Sequence, residues 1–150
     1  MLSGTRRTKA LKTQWAAQFL AAAELARQGY LVAFTMGNHT PMADLMVGHL
    51  ESGDQFWVDV KGLSATGAWL LGEKADLPNL FYILVRVAEK RENDRFFILT
   101  QMEAKHLIGE YWTAHPNQTP TAALAGFNWG AVLDHENRWD KLPGFQKAAN

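Results

Sequence analysis

An α/β sandwich around a mixed sheet is the fold class that this sequence predicts. Two helical stretches predict it, one opening the chain and one near residue 102, with a series of short β-branched and aromatic runs between them. The 150 residues suit one domain, with a core over about residues 8–114 and a segment at 115–150 packing back on it. Hydrophobic residues make up 47% and charged residues 20%, an ordinary globular balance rather than a disordered one. With no cysteine, structural disulfides, thiolate zinc sites and cysteine nucleophiles drop out together. No run approaches the roughly 18 apolar residues of a membrane span, and no apolar segment follows the basic start. A cytoplasmic protein without membrane contact is the expectation.

The elements follow in order. From about Thr8 to Gln28 the residues favour a helix, and Gly29 is a good C-terminal stop. Trp15, Ala22 and Leu25 recur at helical spacing, widened by Leu11 and Phe19, and predict the buried stripe. Gln18 lies within that stripe, so it needs a partner or a solvent-wet edge. The period then turns extended. Residues 30–35, 42–47 and 55–62 read as strands, with turns at Gly37-Asn38 and at Glu51–Asp54. Residues 67–72 form a short fourth candidate. The long apolar run at 80–88 suits a strand covered on both faces, and 95–100 looks similar. A helix from about Met102 to Ala114 follows, with Leu107 and Trp112 among its apolar members. Trp129, Leu133, Trp139 and Leu142 are expected to pack a short helix and turn back onto the domain.

Charge singles out one hairpin. Asp44, Asp59 and Lys61 sit inside runs too apolar for an ordinary exposed sheet, and charges there are costly unless paired or bound. Along 55–62, Phe56, Val58 and Val60 take one face and Trp57, Asp59 and Lys61 the other. A turn centred between Ser52 and Gly53 would put Asp44 opposite Lys61 and diagonal to Asp59. Opposite side chains have Cβ atoms about 5 Å apart and diagonal ones about 7 Å. A slip of one residue would turn Asp44 to the other face.

Such a trio suits phosphodiester hydrolysis. Two hard carboxylates can hold Mg²⁺ or Mn²⁺, and Mg²⁺ takes only one or two protein carboxylates beside waters and substrate oxygens. A lysine can position the attacking water and offset charge on phosphorus. The plain alternative is a cross-strand Asp–Lys pair on a solvated face.

Pro41-Met42-Ala43-Asp44 followed by Asp59-Val60-Lys61 resembles the PD-(D/E)XK nuclease superfamily, particularly its short single-domain members. The helix end Ala23–Tyr30, the Gly37-Asn38 turn and the order and spacing of the two strands share the likeness, which covers about residues 14–100. Arg138-Trp139-Asp140 is similar to the ends of such chains, less specifically. The resemblance implies a restriction-endonuclease-like α/β/α sandwich and a magnesium-dependent endonuclease, with Asp44 and Asp59 as metal ligands and Lys61 as the catalytic lysine. Many members carry a glutamate on the first helix where Gln18 stands here. A neutral amide could orient a metal-bound water but is a poorer Mg²⁺ ligand, which leaves an active and a partly degenerate site both open.

DNA is the expected partner, with RNA left open, as is a homodimer that cuts two strands. The net charge is zero, yet residues 1–28 carry Arg6, Arg7, Lys9, Lys12 and Arg27 against Glu24 alone. That segment either contacts phosphates or is a solvated helix start. His39 and Thr40 precede the Asp44 strand, where donors could meet a phosphate or sit in an exposed turn. His106 and Glu110 share a helical face but lack a third metal ligand, and Asp134-His135-Glu136 reads as a polar turn. Among the six tryptophans, Trp57 and Trp69 are the candidates for base stacking. Two readings compete with a nuclease: a catalytically degenerate module of the same fold that binds nucleic acid or protein, and a small assembly or immunity-type protein using its Trp-rich C-terminal third as an interface.

Overall fold

The structure is a computed structural model that describes residues 2–35 and 43–146. Its elements are α1 (Leu2–Arg27), β1 (Leu31–Phe34), β2 (Leu45–Gly48), β3 (Gln55–Leu63), β4 (Ala68–Leu70), β5 (Leu80–Arg86), β6 (Arg95–Thr100), α2 (Gln101–Ala114) and β7 (Gly126–Asn128), with short 3-10 turns near the end. Five strands form a mixed sheet in the order β1-β2-β3-β5-β6, and β4 pairs with β7 in a small second sheet. β3 and β5 run parallel, while the other neighbours in the large sheet are antiparallel. The parallel pair forces residues 64–79 to cross back over the sheet, since parallel strands cannot be joined by a tight turn.

The alternation expected of β3 holds. Phe56, Val58 and Val60 join Leu45, Val47, Ile83 and Ile98 in one core, covered by Ala17, Ala21 and Leu25 of α1. On the other face, Leu80, Tyr82, Leu84, Phe97 and Leu99 pack beneath Ala104 of α2 and Trp69 of β4. β5 is buried on both faces over its first six residues, as its unbroken apolar run predicts.

The inward face of α1 differs from the predicted stripe. Ala22 and Leu25 are buried, but Leu11 (59% exposed), Phe19 (58%) and Trp15 lie on the outer flank. Small residues win the inner face because the helix approaches the sheet closely, above Gly62. Trp15 stacks on Phe19, and Phe19 meets Phe34 of β1. The helix also begins a turn and a half earlier than expected, at Leu2. Gly29 ends it at φ +94°, with the Tyr30 N–H donating to the Leu25 carbonyl.

α2 starts on a capping box: the Thr100 hydroxyl accepts from the Glu103 N–H, and the Glu103 carboxylate accepts from the Thr100 N–H. Thr100→Ala is expected to lower stability by about 1 kcal/mol, read as a shift in the urea midpoint at unchanged slope. The last segment is tied back by Arg95 paired in two contacts with Glu136, by Lys141 on Glu103 and the Ile98 carbonyl, and by the Tyr30 hydroxyl on the Pro143 carbonyl. Trp139 and Leu142 are buried there as expected. Leu133 is exposed instead, and its neighbour Val132 takes the inward place.

Candidate active site

β2 and β3 pair as Leu45↔Val58, Met46↔Trp57 and Val47↔Phe56. This register is two residues from the expected one, so Asp44 comes level with Asp59 rather than with Lys61. A shift of two preserves the face, and the carboxylates still meet. The ladder opens at Asp44, which explains why the strand starts later than its apolar run. The Asp44 N–H donates to the Val58 carbonyl, but the Val60 N–H turns to the Asp44 carboxylate at 2.8 Å. A side chain thus takes over a backbone rung.

Beyond that point the edge of β3 is met by α1. The Gln14 amide donates to the Val60 carbonyl at 2.7 Å and accepts from the Gly62 N–H at 3.1 Å. One glutamine side chain therefore satisfies two backbone groups that would otherwise be buried without partners. One helical turn further on, Gln18 donates to Asp44 Oδ1 at 3.3 Å. Gln18 does face the carboxylates, and its partner is the one its inward place required.

Asp59 is nearly inaccessible, at 3% exposure. Lys61 Nζ lies 3.6 Å from Asp59 Oδ1. A second ammonium is closer: Lys74 Nζ sits 2.6 Å from Asp59 Oδ2 and 5.9 Å from the centre of the Tyr82 ring. Sequence reasoning missed Lys74. It lies in the crossover between β3 and β5, where no periodicity marks an inward residue. The one signal would have been the parallel pairing itself, which obliges that segment to pass over the Asp59 face.

Burial pushes the Asp44 carboxyl up to about 6, helped by its hydrogen bond and repulsion with Asp59 and opposed by the Val60 N–H and Lys61. Burial and the Asp59 charge raise the Tyr82 hydroxyl to about 12. Raised from the ordinary 3.8, Asp44 contributes stability that is fully present below that value and is lost as pH rises through about 6. A carboxyl-carbon NMR titration is expected to give Asp44 an apparent midpoint near 6. In Asp59→Asn the midpoint should fall yet stay above the ordinary value, because burial remains. A midpoint unchanged by Asp59→Asn would show that the two carboxyls do not interact.

Other candidates separate from this cluster. Arg6, Arg7, Lys9 and Lys12 stand exposed on the first turns of α1. His39, Thr40 and Pro41 lie outside the described residues. Trp69 is wholly buried, stacked on Trp129 and edged by Phe97, so it offers no face to a base. Trp57 is half-buried on the Asp59 face. His106 pairs with Glu110 at 3.2 Å on the outer surface of α2. In the polar turn, Glu136 turns to Arg95 while His135 Nδ1 meets Lys141 Nζ. Among the described residues no group of three or more His, Asp or Glu could hold a metal ion. Nor does any described helix have the length and apolar character to cross a membrane.

Two grooves adjoin the cluster through its lysines. A groove of about 360 Å³ between α1 and the end of β3 is lined by Lys61, Gln14, Thr13 and Ser64. A second, of about 440 Å³, lies beside α2 and is lined by Lys74, Tyr82 and Lys105. Comparisons with protein-family models, with curated proteins and with solved structures give no match.

Proposed function

We propose that this chain is a divalent-cation-dependent nuclease that hydrolyses phosphodiester bonds in DNA on a restriction-endonuclease-like fold. The observation that carries the reading is convergence. Gln18, Asp44, Asp59 and Lys61 come from a helix, a strand start and a neighbouring strand, yet their polar ends meet at one opening of the ladder.

The donor set fits Mg²⁺ or Mn²⁺: two hard carboxylates in mutual contact, one of them costly to ionise, are what a small cation relieves, and Mg²⁺ needs no more than two. When bound, such a cation polarises the phosphate and makes a bound water acidic enough to attack near neutral pH. The residues of the chain supply the rest. Asp44 and Asp59 would hold the cation, with Asp44 aimed by the Val60 N–H and by Gln18. Lys61, partly exposed to the groove beside α1, would orient the attacking water and offset charge gathering on phosphorus. Arg6, Arg7, Lys9 and Lys12 would contact phosphates away from the cut, in a salt-dependent way. Incubating the protein with single-stranded, duplex and branched DNA, with Mg²⁺ or Mn²⁺ and with EDTA, tests the reading. Cleavage that needs the cation and disappears in Asp59→Asn supports it.

A second reading is a nuclease-fold module that binds nucleic acid without cutting. Gln18 in place of a carboxylate, and two ammonium groups already beside Asp59, favour it. Binding of DNA with no cleavage under any of those conditions would decide for it.

A further inference from the structure

Lys74 is held in place by more than its own ion pair. Gln101, buried at the start of α2, donates its amide to the Ala75 carbonyl at 2.9 Å and accepts from the Leu77 N–H at 2.9 Å. Lys105 of the same helix pairs with Asp76. The segment 74–77 is thus fixed to α2 at three successive residues, and the ammonium of Lys74 is delivered onto Asp59 Oδ2 between that carboxylate and the Tyr82 ring.

The charge balance that results is unusual for a cation site. Two carboxylates, Asp44 and Asp59, face two ammonium groups, Lys61 and Lys74. A divalent ion entering alone would leave a surplus of two positive charges in a mostly buried place, where charge is expensive. An anionic phosphate arriving with it removes part of that surplus. We propose that Lys74 is a positioning residue that occupies Asp59 as a built-in counter-ion and makes cation binding weak until a phosphodiester is present. The inference rests on the nuclease reading above and adds to it a coupling between cation and substrate.

Calorimetric titration with Mn²⁺ alone tests it, without recourse to activity. Lys74→Gln keeps a hydrogen-bond donor for Asp59 but removes the charge, and should bind Mn²⁺ about tenfold more tightly than the unaltered protein. Lys74→Arg, which keeps the charge, should bind as the unaltered protein does. Equal or weaker binding in Lys74→Gln overturns the proposal. Asp44→Asn separates the two levels of inference. If it abolishes Mn²⁺ binding while Lys74→Gln changes nothing, the cation site stands and the role of Lys74 falls. If Asp44→Asn binds Mn²⁺ like the unaltered protein, the cation lies elsewhere and both fall. Should Lys74→Gln be too unstable to titrate, recovery of its folded circular-dichroism signal on adding Mn²⁺ is the equivalent readout, and no recovery overturns the proposal.

Discussion

On the nuclease reading, replacing Lys61 with alanine is expected to lower the rate of cation-dependent cleavage by roughly 10²–10³, the usual worth of one donor aimed at developing charge. Stability should hardly change. Lys61 is partly exposed and 3.6 Å from Asp59, so its removal leaves no buried group without its principal partner. The other lysine should behave in the opposite way. Removing the charge of Lys74 takes the closest counter-charge from a nearly inaccessible carboxylate, and breaking such an ion pair is strongly destabilising. Single-turnover cleavage rates and urea midpoints for Lys61→Ala and Lys74→Gln separate the two lysines. Lys61→Ala should fall in rate at a constant midpoint, whereas Lys74→Gln should lose stability. Full activity in Lys61→Ala would remove this lysine from the chemistry.

The difference between the lysines marks the boundary of what the sequence could disclose. Lys61 was legible because a strand alternates, and the apolar set Phe56, Val58 and Val60 fixes which face its neighbours take. The same alternation placed Asp59. Asp44 was legible only to within its face: the register set by the Glu51–Asp54 turn is two residues from the one assumed, and the pairing survives because the side-chain period is two. Lys74 was not legible, because its position follows from the parallel pairing of β3 with β5 and from Gln101, both contacts of long range. The inner face of α1 was misread for a related reason. The expected stripe ran through the bulky residues, and the buried one is the alanine-rich stripe beside it. The choice between them was made by Gly62, some 40 residues away, which admits a close-lying helix and so selects the small side chains.

That selection makes Gly62 a position where a single added methyl group should disturb the candidate site. A Cβ there would lie 2.7 Å from the Ala17 Cβ and 2.9 Å from the Thr13 carbonyl oxygen. The second contact is with helix backbone, so no rotation of a side chain can relieve it and α1 must move. Any outward movement strains the two Gln14 hydrogen bonds to β3 and, one turn on, the contact of Gln18 with Asp44. Overpacking of this kind costs about 1–3 kcal/mol and each lost hydrogen bond about 1 kcal/mol. Gly62→Ala is therefore expected to lose about 3 kcal/mol, measured by urea denaturation, and Gly62→Val to fold poorly. A double-mutant cycle with Ala17→Gly isolates the cause. Ala17→Gly alone costs about 1 kcal/mol through helix propensity. In combination it should recover part of the Gly62→Ala loss, because one of the two close contacts is gone, but not all of it, because the Thr13 carbonyl remains. Strict additivity in that cycle would mean that the approach of α1 to β3 is not what Gly62 secures. If cleavage depends on the aim of Asp44, Gly62→Ala should also slow it more than its loss of folded protein accounts for, since the helix that moves is the one that carries Gln18.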